Sequence, residues 1–292
     1  MKRLTLLTNP DRCNLRCPLC FLNQRGRAFG MGEMPIEVAR AAIERFAGAD
    51  VPAQERLREV IPSTMGEPLL YTYFDELLEF CRASRIPLNL TTNGTFPGFW
   101  GTDAGMERLL DACSDIKVSC MAFDEATFDE MMPGFSFGRW RDNVNRLAGF
   151  GRGSVTLQVT VHKKLVAKVP EILAWAQSIG ISRIKWNLPV FISGGEALRA
   201  CYGIDDATVR ELRELIATAA PETLRCEGSL FFDGNDVASR CGGADGCAMF
   251  KDEIWILPDG TEEFCPNPER RFGDRNAAGA ACGSCVLLKP IA

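Results

Sequence analysis

Residues 3–20, RLTLLTNPDRCNLRCPLC, join a short apolar run to a loop carrying three cysteines. The run over 3–8 reads as a strand followed by a polar loop. The loop then spaces Cys13, Cys17 and Cys20 as C-x3-C-x2-C. An iron-sulfur cube takes four thiolates, so three on one loop leave one iron without a protein ligand. An open coordination position is where a cofactor or substrate binds. A zinc site completed by a distant fourth ligand is the alternative that spacing alone leaves open.

Outward from this loop, apolar or β-branched runs alternate with longer amphipathic ones, the pattern of repeated βα units around a parallel sheet. Strands are expected at 57–61, 86–91, 115–121, 154–161 and 183–188, with helices at 35–47, 170–179 and 205–218 among them. Six units fall short of the eight that close a barrel, so the expected fold class is α/β, a partial (β/α)6 barrel. In such architectures working groups sit on loops after the strands' C-terminal ends. Cys81, Cys113 and Cys120 fall inside regular segments and read as buried small hydrophobes.

Motifs at those strand ends follow a family order. Met65-Gly66-Glu67-Pro68 follows the second strand, Thr91-Thr92-Asn93-Gly94 the third, and Ser119 and Gln158 lie on the fourth and fifth. Together with the cysteine loop, in which Leu19 precedes the last thiol, the chain resembles the radical S-adenosylmethionine (SAM) enzymes. There the second motif is usually Gly-Gly-Glu-Pro, and Met65 departs from it, so the backbone at Met65 must tolerate a side chain. The resemblance implies a [4Fe-4S] cluster on Cys13, Cys17 and Cys20, and SAM held by Gly66, Glu67, Pro68, Asn93, Ser119 and Gln158. It further implies one-electron cleavage of SAM to a 5'-deoxyadenosyl radical that takes a hydrogen atom from substrate, with an external electron donor such as flavodoxin or ferredoxin. The cofactor carries that reactivity, and the protein positions the substrate.

Past residue 225 the texture becomes rich in Gly, Cys, Pro and Asp, and a hairpin signal joins EIWIL to TEEF across Pro258-Asp259-Gly260. So small a segment needs a staple. Cys247, Cys265, Cys282 and Cys285 supply four thiolates for one closed site. Their spacing resembles the twitch domain, a shortened SPASM domain, which implies a second [4Fe-4S] cluster and the division 1–225 (radical SAM barrel) and 226–292 (twitch domain). A structural zinc remains the alternative there. Cys201, Cys226 and Cys241 are left over. A thiol that returns hydrogen to the opposite face of a substrate radical would invert that carbon; Cys241, six residues before Cys247, is the expected donor and Cys226 the second choice.

The chain has 292 residues, 46% of them hydrophobic, enough for a full core, and thirteen cysteines, an odd number that cannot pair completely within one chain. A net charge of −5 gives no basic footprint for nucleic acid, and no apolar run is long enough to span a membrane. A cytoplasmic location is expected. LLTNPDRCNLRCPLCFLNQRG and STMGEPLLY resemble the neomycin-type aminoglycoside epimerases. That resemblance implies inversion at a carbon of a small cationic sugar, with Glu227, Asp233 and Asp236 as candidate partners for its ammonium groups. A dehydrogenase of an aminocyclitol or sugar alcohol, or a radical SAM peptide-modifying enzyme, is a competing activity. A non-catalytic zinc-binding interaction protein is the competitor of another class. His162, the single histidine, reads as a solvated strand end beside Lys163 and Lys164, or else as a base.

Overall fold

Among the described residues nine strands form one sheet in the order β7-β6-β5-β4-β3-β2-β1-β8-β9. The computed structural model describes residues 2–26, 29–48, 50–53, 55–63, 65–192, 195–232, 252–263, 265, 267, 269 and 285. The strands are β1 (Lys2–Leu6), β2 (Leu57–Pro62), β3 (Leu88–Thr92), β4 (Cys113–Cys120), β5 (Val155–Thr160), β6 (Arg183–Asn187), β7 (Arg225–Glu227), β8 (Glu253–Ile256) and β9 (Glu262–Glu263). Between them run α1 (Phe21–Arg25), α2 (Ile36–Ala47), α3 (Phe74–Ala83), α4 (Asp103–Ala112), α5 (Glu125–Met131), α6 (Phe137–Gly149), α7 (Val169–Ser178), α8 (Glu196–Tyr202) and α9 (Asp206–Ala219). Every described pairing is parallel except β8 with β9. Among the described residues the edges β7 and β9 are not paired with each other, so the α/β barrel is partial, as expected.

The six expected strands are β1 to β6. Two additions were not expected: β7 extends the sheet beyond β6, and β8, the first arm of the expected hairpin, runs parallel to β1, pairing Leu4 with Ile254. The hairpin turn closes with Leu257 N donating to Thr261 O at 2.8 Å, and Gly260 takes φ +87°, a conformation that suits glycine.

Alternation along each strand separates two chemically different faces. Ile116, Val118, Leu157, Val159, Ile184 and Trp186 are all 0–1% exposed and pack with the helices. Cys81, Cys113 and Cys120 are buried in the same core, as expected. The opposite face, inside the barrel, carries Arg3, Glu59, Asn89, Asp115, Lys117, Thr156 and Arg183. Their partners are one another: Arg3 Nε donates to Glu59 Oε1 at 2.7 Å, Asn89 Nδ2 to Glu59 Oε2 at 2.8 Å, and Thr156 Oγ1 to Asp115 Oδ1 at 2.8 Å. Lys117 Nζ lies 3.3 Å from Asp115 Oδ2, and Arg183 also bonds Asp115. A connected network of this kind keeps buried polar groups satisfied, where a single orphan would be costly.

Burial alone would push Glu59 up, but Asn89, Arg3 and Ser114 outweigh it and hold its carboxyl at about 2 against an ordinary value of 4.5. A carboxyl whose folded value is depressed stabilises above its unfolded value, and that contribution disappears as pH falls from about 4.5 towards about 2. The contribution is up to about 3 kcal/mol at neutral pH. Urea midpoints at pH 7 and pH 3 should therefore fall more steeply for the wild type than for Glu59→Gln; equal falls would remove Glu59 as the acid-sensitive group.

Candidate active site at the cysteine loop

The loop leaving β1 is tied to the turn leaving β2 by one side chain. Asn9 Nδ2 donates to Glu67 O at 2.7 Å and to Arg12 O at 3.3 Å, while its Oδ1 accepts from Thr8 Oγ1 at 2.7 Å. Glu67 N donates to Arg12 O at 2.9 Å. The two backbones approach so closely at Gly66, φ +77°, that an added Cβ would overlap Asn9 O and lie 2.8 Å from Arg12 O. Only glycine fits there. Met65 is tolerated because its side chain, 6% exposed, enters a small apolar cluster with Leu7 and Leu257.

Glu67 turns inward. It is 1% exposed; its Oε1 accepts from Thr92 Oγ1 at 2.8 Å and Leu69 N at 3.2 Å, and its Oε2 from Asn93 N at 2.7 Å. Burial raises its pKa to about 7, against the opposing effect of those three bonds. The carboxylate thus fixes the start of the Asn93 loop and the short 3-10 turn over Pro68–Leu70, in which Pro68 occupies a first-turn position where no N–H is needed.

Asn93 reaches back to the cysteine loop. Its Nδ2 donates to Asn14 Oδ1 at 2.9 Å and lies 3.7 Å from Cys13 Sγ; Asn14 Nδ2 donates in turn to Thr95 Oγ1 at 2.9 Å. Gly94, φ +82°, lies where an added Cβ would come within 2.6 Å of Trp140 Nε1. Ser119 and Gln158 sit directly opposite each other on β4 and β5, and the same row continues to Lys185 and Glu227 on β6 and β7.

Cys13, Cys17 and Cys20 line one cavity of about 320 Å³ together with Asp11, Leu15, Arg16, Leu22, Asn23 and Gly26. That is within the size range of small-ligand sites. Burial raises all three thiols, Cys17 to about 12, and each of Cys13 and Cys17 is raised further by Cys20. Among the described residues no group of three His, Cys, Asp or Glu side chains is gathered to hold a single metal ion. Thiols spread around a cavity suit a cube of four irons, which takes one thiolate per iron, better than a single zinc.

Other expected residues are placed differently. Cys226 pairs with Ile184 on the helix-facing side of the sheet, the side away from Ser119 and Gln158, so the strand directs this second-choice donor into the core. Glu227 is on the inner face, but Arg225 at 2.8 Å, Lys185 at 3.7 Å and Arg183 at 4.0 Å already surround its carboxylate, which does not leave it free for an ammonium ligand. His162 is not a solvated strand end. It is 0% exposed, its Nε2 lies 2.7 Å from Met121 O, and burial lowers its pKa. Cys201 is exposed on α8. Cys265 is half-buried and Cys285 buried, whereas Cys241, Cys247, Cys282, Asp233 and Asp236 lie outside the described residues.

The residues missed from sequence are Asn9, Asn14 and Gln24. The last bridges two segments: Gln24 Nε2 donates to Leu19 O at 2.9 Å and Val190 O at 2.8 Å, and its Oε1 accepts from Ile192 N at 3.1 Å. No local signal marks a glutamine whose partners are 166 and 168 positions away.

The Radical SAM superfamily model matches residues 10–176, from the cysteine loop into α7. No curated protein matches the chain. Among solved structures, Streptococcus suis SuiB bound to precursor peptide SuiA aligns with a TM-score of 0.70 at 18% identity, over 94% of this chain and 61% of SuiB. SuiB bound to S-adenosylmethionine gives 0.67 at 20% identity, over 91% and 60%. anSMEcpe with bound AdoMet gives 0.64 at 16% identity, over 90% and 74%. At these identities the likeness is one of fold, and the chain spans about three fifths of SuiB's length.

Proposed function

Because this chain belongs to the radical SAM superfamily, whose members use SAM and a [4Fe-4S] cluster, we propose that Cys13, Cys17 and Cys20 hold that cluster here and leave one iron for SAM. The observation that carries this reading is three thiols around one cavity, with Asn93 against the first of them. When bound, the pair supplies a 5'-deoxyadenosyl radical that removes a hydrogen atom from substrate. The chain's own part is placement. Gly66 lets the β2 turn lie against the cysteine loop, Glu67 orients the Asn93 backbone, and Pro68 starts the short turn that Glu67 caps. Ser119 and Gln158 offer a hydroxyl and an amide side by side on the inner face for the polar groups of SAM.

The activity we assign is epimerisation of a sugar carbon in an aminoglycoside-type substrate, on the resemblance in the cysteine loop and the Gly66 turn. Hydrogen leaves one face of the carbon and a thiol returns hydrogen to the other; Cys241, six residues before Cys247, is the assigned donor. Its sulfur radical is restored by one electron from an external donor of the flavodoxin or ferredoxin type and one proton from solvent. Cys247, Cys265, Cys282 and Cys285 are assigned to a second cluster in a twitch domain. A peptide substrate is the second reading, favoured by the fold shared with SuiB.

The test is the reduced, reconstituted enzyme with SAM and a panel of aminoglycosides in heavy water. An isomeric product carrying one deuterium supports epimerisation. A product two hydrogens lighter replaces it with dehydrogenation, and turnover of a peptide alone moves the substrate to the second reading. No 5'-deoxyadenosine under any condition removes the radical reading altogether.

A further inference from the structure

The segment leaving β6 continues the inner-face row, in which Asn187 pairs with Thr160, into Leu188, Pro189, Val190, Phe191 and Ile192. It lies at the C-terminal end of the strand, where barrels of this kind place the groups that meet substrate. Beside the bond from Gly195 N to Ile192 O and the packing of Leu188 and Phe191 in the core, three side-chain contacts hold it. Leu188 N donates to Ser229 Oγ at 2.9 Å, and the Arg199 guanidinium lies over the Phe191 ring, 5.1 Å from its centroid. The third contact is the Gln24 amide, which comes from α1, the short helix that follows the cysteine loop.

We infer that Gln24 is a positioning residue that couples the cluster's seat to this substrate-side wall. Its amide takes the place of a peptide unit in a strand pairing: one N–H meets Val190 O, and the oxygen meets Ile192 N. Its other N–H meets Leu19 O, the carbonyl just before Cys20. The neighbours fix the amide's orientation, two carbonyls on one side and one N–H on the other. An amide has two donors and an acceptor on one rigid plane, and all three are used. A carboxylate of the same shape would set two oxygens against two carbonyls. The Gln24 backbone N closes the first turn of α1 on Cys20 O at 3.0 Å. Displacing the wall therefore pulls on the carbonyl beside Cys20, and a shift of Cys20 is felt at Val190.

The inference rests on the radical SAM reading for its meaning, but its test does not depend on turnover. Hydrogen exchange is followed in the reconstituted, cluster-loaded protein and in Gln24→Met and Gln24→Glu, beside the electron paramagnetic resonance signal of the reduced cluster. Gln24→Met keeps length and apolar packing without the three bonds; Gln24→Glu adds repulsion. Exchange over residues 188–192 should accelerate at least tenfold in Gln24→Met, equal to about 1.4 kcal/mol, and further in Gln24→Glu, while exchange in β5 stays as in the wild type. The cluster's g-values should shift in both. If Gln24→Met exchanges like the wild type, packing and not the amide holds the wall, and the inference is overturned. If exchange accelerates with g-values unchanged, the coupling to the cluster is overturned. Should Gln24→Glu fail to fold, Gln24→Met carries the test. A wild type that assembles its cluster but never cleaves SAM would sink the radical reading and leave the exchange result standing.

Discussion

Gly66→Ala should abolish SAM binding and destabilise the chain by about 3 kcal/mol or more, through backbone strain and collision together. The added methyl meets Asn9 O and Arg12 O, which are backbone atoms and do not rotate away, and φ at this position is +77°. Relief requires the cysteine loop to separate from the β2 turn. That separation breaks the bond from Glu67 N to Arg12 O and strains both bonds from Asn9 Nδ2. The urea midpoint gives the stability, and equilibrium dialysis of SAM against the reconstituted protein gives the binding. A folded Gly66→Ala protein that binds SAM as the wild type does would show that the two loops move independently.

Cys17→Ala should lose the cluster at the loop, with a fall of about four irons per chain and no residual SAM cleavage. Of the three thiols Cys17 is held highest by burial, with both neighbouring thiols adding to the shift. In the metal-free chain these thiols are therefore protonated at neutral pH, and ligation must release their protons, which links cluster assembly to the fold of the loop. With one ligand removed, two thiols remain around the cavity, and among the described residues no histidine or carboxylate completes a group of three. Iron analysis beside Cys226→Ala as a control separates the two cysteine classes. Cys226→Ala should keep its iron, because Cys226 lies on the helix-facing side of the sheet.

What sequence made legible and what it did not divide along a physical line. Strands β1 to β6 could be read because each is a short apolar run bounded by turn residues. The motifs at their ends could be read because they are local. Glu253–Ile256 was legible as a hairpin arm, but its place beside β1 was not, since parallel pairing over 250 positions leaves no trace in either strand. His162 misled for a related reason: Lys163 and Lys164 suggested solvent, while its burial is imposed by the Met121 carbonyl and by Tyr202 of α8, whose ring meets it edge-on at 5.8 Å. Glu67 was expected among the residues that hold SAM. That its buried carboxylate also organises the backbone of the next motif is visible only once Thr92 and Asn93 are seen to donate to it. Asn9, Asn14 and Gln24 act through amides whose partners are distant or are backbone atoms, and composition carries no signal for that.

The account stands on one iron at Cys13, Cys17 and Cys20 being open to SAM, and electron paramagnetic resonance of the anaerobically reconstituted, dithionite-reduced protein tests it most directly. A signal whose g-values shift when SAM is added is the predicted result, with 5'-deoxyadenosine and methionine formed in the same sample. A colourless zinc protein, or a cluster whose signal is unchanged by SAM, would contradict it.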